Sequence, residues 1–266
     1  FGIWVFVLFI VHSSLFIAHG SIIILAMEYL APTVKQLLNL DLTSAQINSF
    51  RIYAEELAAW NEKFNLTAIK EPKDVEIKHF ADSLSCLLAI RTTHHGIRLI
   101  DVGTGAGFPG VPLKIVCPDL KITLVESVGK KVKFLNHLIE KLELKNVITI
   151  QSRAEELGQQ AEHRERYDWA VARAVAVMPI LLEYLLPLVK VGGKVLAQKG
   201  ESAPAEAQGR DAEKAARILG GTLDQIKQVE LPTIVEPRYL VIFNKTAATP
   251  NKYPRRAGTP GKEPIK

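Results

Sequence analysis

The densest chemical signal in the chain is Ile100-Asp101-Val102-Gly103-Thr104-Gly105-Ala106-Gly107-Phe108-Pro109-Gly110. Glycines at 103, 105 and 107, just after a β-branched run and just before a helical pattern, let the backbone turn sharply and approach a ligand closely. The G-x-G-x-x-G fingerprint of nicotinamide and flavin enzymes requires glycine at 108, where this chain has Phe108. Glu126 closes the next strand-like run, 23 residues after Gly103. A carboxylate there can accept from both hydroxyls of a ribose, and the competing reading is a cap on the following helix. Ser152-Arg153-Ala154-Glu155 follows the third run. It offers a small residue and a carboxylate to border an adenine, or is an ordinary first helical turn with favourable acids. Arg173 interrupts an apolar Ala-Val-Ala-Arg-Ala-Val run, so it requires either a ligand or an ion-pair partner. His79 and Asp82, three apart on one helical face, suit a ligand contact and a helix-packing pair equally, and neither is assigned a catalytic role. Cys86 and Cys117 are the only cysteines, so neither a disulfide framework nor a Cys-rich zinc site can form within one chain, and no metal is expected. Such sparse cysteine usage suits a reducing compartment.

What stands in the loop is D-x-G-x-G-x-G, which resembles the first motif of the S-adenosylmethionine-dependent methyltransferases. Methyl transfer from a sulfonium is an in-line displacement, so an enzyme supplies alignment and exclusion of water, and a base only where the acceptor must lose a proton. Exocyclic amino methylation of adenine or cytosine usually carries an Asp/Asn-Pro-Pro-aromatic loop after the fourth strand, where this chain has Ala172-Arg173-Ala174-Val175. Carbon-5 methylation of a pyrimidine needs a cysteine nucleophile after the fourth or a later strand, and both cysteines precede the second. An acceptor already nucleophilic at neutral pH, such as guanine N7, or a small molecule remains, and neither demands a catalytic residue.

From Met27 to Lys266 the chain resembles the bacterial small-subunit ribosomal RNA guanine-N7 methyltransferase family, also called glucose-inhibited division protein B. The stretches that carry the resemblance are Asn65 to Ile69, His79 to Leu84, Asp101 to Pro112, Arg153-Ala154-Glu155, Ala172-Arg173-Ala174 and Lys252 to Pro260. The continuation Gly107-Phe108-Pro109-Gly110 and the terminal Tyr253-Pro254-Arg255 stretch are narrower than the glycine loop itself. The resemblance implies S-adenosylmethionine in a pocket lined by Gly103, Phe108, Glu126, Ala154, Glu155 and Arg173, with Gly105 and Gly107 completing the loop. It also implies a guanine of 16S ribosomal RNA, or the assembling particle that holds it, as the methyl acceptor in the cytoplasm.

The elements that would position these residues follow from periodicity. Residues 27 to 96 read as helices without strands and are expected to form a helical N-terminal subdomain: Thr43 and Gln46 have the form of a capping box, and Ile47, Phe50, Ala54, Leu57, Ala58 and Phe64 recur at helical spacing. Pro72 and Asp74 open a further helix. From Ile97 to Lys245 short β-branched runs (97–102, 121–126, 146–151, 168–174, 193–199) alternate with helical ones, which predicts a doubly wound, mostly parallel sheet of the Rossmann-like methyltransferase type. Runs 222–231 and 238–244 have no helix between them and predict a closing antiparallel hairpin. A single helix is expected over 203–219.

The whole chain has 266 residues, 48% hydrophobic and 23% charged, with 33 basic and 28 acidic side chains for a net charge of +5. That composition suits one large domain or two modest ones and excludes disorder. From Asn244 to Lys266 there are six basic residues and one acid, so the terminal stretch holds the entire net charge. Residues 246–266 are therefore expected to be a Pro- and Gly-rich arm. Lys252, Arg255 and Arg256 would contact phosphates and Tyr253 would stack on a base, held extended by prolines; a solubilising tail is the competing reading. Residues 1–26 carry no Asp, Glu, Lys or Arg, and 19 of the 26 are apolar. They have the length of a membrane span but lack the basic flank of a span or signal peptide, and the favoured expectation is translated sequence upstream of a start at Met27. The leading function is thus an RNA guanine-N7 methyltransferase without membrane attachment. Its rivals are a small-molecule methyltransferase, which would have no use for the basic arm, and a membrane-tethered nucleotide-binding module, which rests on the prefix alone.

Overall fold

The computed structural model describes residues 27–90, 96–232 and 234–266; the apolar prefix 1–26 lies outside the described residues. Seven strands, β1 (Arg98–Val102), β2 (Lys121–Glu126), β3 (Val147–Gln151), β4 (Tyr167–Arg173), β5 (Val189–Lys199), β6 (Gly221–Val229) and β7 (Arg238–Lys245), form one sheet in the order β3-β2-β1-β4-β5-β7-β6. The first five are parallel. β7 enters antiparallel between β5 and β6, with Gln198 opposite Leu240 and Val229 opposite Arg238. The expected hairpin is present, and its second strand, not its first, joins the parallel set.

Alternation along each strand divides the interior into two layers. Leu99, Val171, Leu196 and Ile242 face one core, while Ile100, Ala170, Ala172, Val195 and Val241 face the other. The first core is covered by helices Leu30–Leu38, Ser44–Phe64, Gly110–Val116 and Gly129–Lys141 together with the helical run that starts at Pro72. The N-terminal helices therefore share a core with the sheet. In Ser44–Phe64 the capping box is formed from both sides by Thr43 and Gln46, and Phe50, Tyr53, Ala54 and Leu57 lie on the buried stripe. The second core is closed by Met178–Leu185, Ala203–Gln208 and Arg210–Leu219. The expected single helix over 203–219 is broken at Gly209, whose ψ of 147° is extended.

The run from Pro72 is α-helical only as far as Asp74; Val75–Ala81 is π-helical, followed by α-helical Asp82–Leu84 and a 3₁₀ turn, Ser85–Leu88. Widened turns of this kind recur at functional sites. Here the widened turn carries His79. Val102, Glu126, Gln151, Arg173 and Lys199 end the parallel strands along one sheet edge, beside the N-terminus of β7. The strand order reverses between β1 and β4, which opens a crevice at that edge.

Candidate functional site

Two cavities lie along this edge. The first, of about 240 Å³, sits over β1, β2 and β3 and is lined by Val102, Gly103, Val125, Ser127, Ser152, Arg153, Ala154, Glu155, Val175 and Tyr184. The second, of about 340 Å³, sits over β4, β5 and the start of β7, with Ile69, His79, Asp82, Arg173, Gln198, Lys199, Arg238 and Tyr239 in its wall.

The glycine loop borders the first cavity. Gly103 has φ +69°, and a Cβ there would meet Val175 Cγ2 at 2.7 Å. Gly105, at φ +63°, has nothing within 4 Å of the position a Cβ would take, so its freedom is conformational and its surface open. The Glu126 carboxylate ties the loop to β2: Oε2 accepts the Gly105 N–H at 3.0 Å and Oε1 accepts the Val128 N–H at 2.8 Å. Val128 is the N-cap of Gly129–Lys141. Glu126 thus braces the loop and at the same time holds the N-cap residue of the helix beyond. Below the loop, buried Asp101 accepts from Thr104 Oγ1 at 2.6 Å and from the Gly110 N–H at 2.7 Å, both on Oδ2, while Oδ1 has no partner among the described residues. Burial pushes the Asp101 carboxyl up to about 6, against the pull of those two hydrogen bonds.

These features fit S-adenosylmethionine. A carboxylate at the end of β2 retains lone pairs for ribose hydroxyls, Gly105 leaves space for close approach, and Glu155 puts a second carboxylate in the lining of the cleft. Gly103, Ala154 and Glu155 line the cleft directly, whereas Gly105 and Glu126, bonded to each other, adjoin lining residues without being part of the lining. Gly107 and Phe108 stand behind it. Gly107 packs against the Tyr53 hydroxyl and Val111, and the buried Phe108 ring stacks on Tyr53 and His79 with centroids 5.3 and 4.3 Å away. Val175 and Tyr184 join the lining without a sequence signal, since each is a lone residue in a loop or helix.

Arg173 lies in the second cavity. Its guanidinium donates to Asp82 Oδ2 at 2.9 Å and to the Lys78 carbonyl at 3.1 Å, and stands 4.9 Å over the Phe108 ring centroid. The partner that the apolar run demanded is Asp82, 91 residues earlier. Arg173 also donates to His79 Nδ1 at 3.2 Å; a guanidinium cannot accept, so the ring proton sits on Nε2 and reaches Thr67 Oγ1 at 2.8 Å. Asn61 holds Thr67 in turn through its amide and carbonyl. Burial, helped by Arg173, lowers His79 to about 3, so the imidazole is neutral throughout the physiological range. His79 and Asp82 are thus both: a helix-borne pair packed inward, and part of a cavity wall.

Sequence reasoning missed two further groups in that wall. Gln198 Nε2 donates to the Asp82 carbonyl and to Ser85 Oγ, which fixes the amide orientation and leaves the buried Oε1 without a partner among the described residues. Arg238 Nε is likewise buried and has no hydrogen-bond partner among the described residues. Ser85 and Gln198 sit in unremarkable sequence, and Arg238 reads as a routine strand start.

The terminal stretch corrects an expectation. Residues 246–266 are not an extended arm but fold back on the domain, because Tyr253, Pro254, Pro260 and Ile265 bury apolar surface against the second core. The Arg255 guanidinium forks onto fully buried Glu183, Nε to Oε1 at 2.9 Å and Nη2 to Oε2 at 2.7 Å, so it is withdrawn from phosphate contact. The Tyr253 ring is buried and offers no free stacking face. Lys252 and Arg256 remain exposed. Among the described residues no cluster of His, Cys, Asp and Glu could hold a metal, and no helix is long and apolar enough to cross a membrane.

Comparison with known proteins adds to this geometry. The model of the family GidB, rRNA small subunit methyltransferase G, matches residues 46–234. A protein named ribosomal RNA small subunit methyltransferase G from Alkaliphilus oremlandii is 48% identical over 229 residues, covering 86% of this chain and 95% of that protein. Another of the same name, from Desulforamulus reducens, is 46% identical over 242 residues, covering 90% of this chain and all of that protein. Among solved structures, TrmN from Thermus thermophilus overlaps 61% of this chain and 48% of its own at 19% identity, with a TM-score of 0.46.

Proposed function

The chain belongs to the rRNA small subunit methyltransferase G family, and from that membership we propose that it transfers a methyl group from S-adenosylmethionine to N7 of a guanine in 16S ribosomal RNA. It is an S-adenosylmethionine-dependent rRNA methyltransferase by family, and the choice of N7 is the finer reading. The observation that carries that choice is the pairing of the two cavities. A nucleoside-binding cleft abuts a cavity whose wall holds one orphaned acceptor, Gln198 Oε1, and one orphaned donor, Arg238 Nε. A guanine edge is complementary to such a wall, since O6 accepts while N1 and N2 donate.

Bound S-adenosylmethionine supplies an electrophilic methyl on a sulfonium. The residues of this chain orient the two reactants and exclude water. Glu126 and Glu155 would hold the nucleoside half of the cofactor. Arg173, locked by Asp82 and His79, separates that half from the base. N7 carries a free lone pair, so no proton needs to leave before attack, and the neutral, inward-bonded His79 is consistent with a site that has no general base. Exposed Lys252 and Arg256 would meet phosphates at the outer surface. The substrate is small-subunit RNA, free or in its assembling particle, and the reaction belongs to the cytoplasm where that particle forms.

Methylation at N7 makes the guanine cationic and labile. RNA that has accepted a labelled methyl group should therefore be cleaved at one nucleotide by borohydride followed by aniline. Labelled but uncleaved RNA would exclude N7 as the acceptor.

A further inference from the structure

The folded-back C-terminal segment touches the cofactor cleft at two points that its distance in sequence conceals. The Gly258 N–H donates to Glu155 Oε1 at 2.9 Å across 103 residues. Glu155 is buried, lines the cleft, and has no other hydrogen-bond partner among the described residues. On the adjoining helix Met178–Leu185, Glu183 is buried while its neighbour Tyr184 lines the same cleft. Glu183 is held from a single direction: the Arg255 N–H donates to Oε1 at 2.8 Å, and the Arg255 guanidinium grips both oxygens.

The stretch just before these contacts is itself clamped to the strand-end helix Ala154–Leu157, which carries Ala154 and Glu155. A Cβ on Gly158, just after that helix, would meet Pro254 Cγ at 2.7 Å, so helix end and segment are in close packing. Gln159 Nε2 donates to the Pro254 carbonyl at 2.7 Å. The Arg164 guanidinium donates to the carbonyls of Tyr253 and Thr249, each at 2.7 Å, and to that of Gly158 at 3.0 Å. At the start of the segment, the buried Lys245 ammonium bonds Thr249 and the carbonyls of Leu186 and Leu219. A merely solubilising tail would need none of these bonds, and a phosphate-binding arm would keep its guanidinium free.

We propose that the C-terminal segment is the outer wall support of the S-adenosylmethionine cleft, with Arg255 a positioning residue that acts through Glu183 and, through Gly258, sets the carboxylate of Glu155. A guanidinium suits this task because its planar fork fixes both oxygens of one carboxylate at once, whereas an ammonium makes a point contact. Cofactor affinity therefore depends on a residue remote from the glycine loop, and RNA affinity depends on its neighbours Lys252 and Arg256.

The proposal rests on the cleft being the S-adenosylmethionine site, which calorimetric titration of the unaltered protein checks first: absence of binding there would fail that assignment, not the positioning role. With binding established, Arg255→Lys keeps the charge that a phosphate contact needs but loses the fork. It should weaken S-adenosylmethionine binding about fivefold to tenfold without RNA present, and raise the cofactor KM while leaving kcat and the RNA KM within about twofold. The paired variant Arg255→Met with Glu183→Gln removes the fork without leaving a buried charge unpaired. It should weaken cofactor binding further while still melting cooperatively. Lys252→Ala and Arg256→Ala should leave cofactor affinity unchanged and raise the RNA KM. Cofactor affinity unaltered in both Arg255 variants, or a rise confined to the RNA KM, would overturn the positioning role.

Discussion

The two cavities at the sheet edge are built in opposite ways. The proposed cofactor cleft is shaped mainly by backbone: a glycine loop and strand ends, braced by a carboxylate at 126 that accepts main-chain N–H groups. The neighbouring cavity is shaped by residues from six separate stretches, and its wall residues His79, Asp82 and Arg173 are joined with Asn61 and Thr67 in one hydrogen-bonded lattice. Backbone geometry tolerates the loss of one side chain, whereas a buried polar lattice does not, because each deletion leaves a partner unsatisfied. The cleft can therefore be weakened locally, and the second cavity fails as a unit.

Arg173→Met tests that contrast most severely. It leaves Asp82 buried without its cation, and breaking such a pair destabilises by about 3 to 5 kcal/mol, which urea unfolding would measure. Cofactor affinity in the surviving folded fraction should change by less than about threefold, with methyl transfer reduced about 100-fold or more. A variant of ordinary stability would show that the lattice is not a unit.

Asp101 is the exception on the cofactor side, a buried acid whose carboxyl is raised by desolvation to about 6 from an ordinary 3.8. The folded chain then binds a proton that the unfolded chain has lost between those two values, so stability falls as pH rises through this window. One pKa unit is about 1.4 kcal/mol, which makes the loss about 3 kcal/mol. Asp101→Asn should flatten the stability profile between pH 4 and pH 7 by about that amount, and an unchanged profile would mean Asp101 ionises normally.

Glu126→Ala should reduce cofactor affinity by about 1.5 to 3 kcal/mol for each charge-assisted hydrogen bond removed, read by calorimetry. Its effect on unfolding should be smaller than that of Arg173→Met. Equal destabilisation by the two variants would erase the distinction between the cavities. The smallest effect belongs to the surface: Lys252→Ala and Arg256→Ala should each remove about 0.7 to 0.9 from the slope of log RNA affinity against log salt. A slope unchanged in both would remove them from the phosphate contact.

The cofactor half was readable in the chain because its determinants are local. Glycine spacing, the run of β-branched residues before it and the helical period after it lie within about twenty residues, and strand and helix alternation fixes a parallel sheet with its loops at one edge. The capping box at Thr43 and the existence of seven strands between Arg98 and Lys245 emerged for the same reason, although β5 begins at Val189, four residues before the expected start. Tertiary structure alone decided that Arg173 meets Asp82 across 91 residues, that Arg255 meets Glu183 across 72, and that the basic terminus lies folded against the second core. It also decided that Gln198 Oε1 and Arg238 Nε are left unpartnered in one wall. Periodicity records which face of an element is buried, but not which distant element covers it. The partner of a buried charge is chosen when the layers pack, after every local signal has been spent.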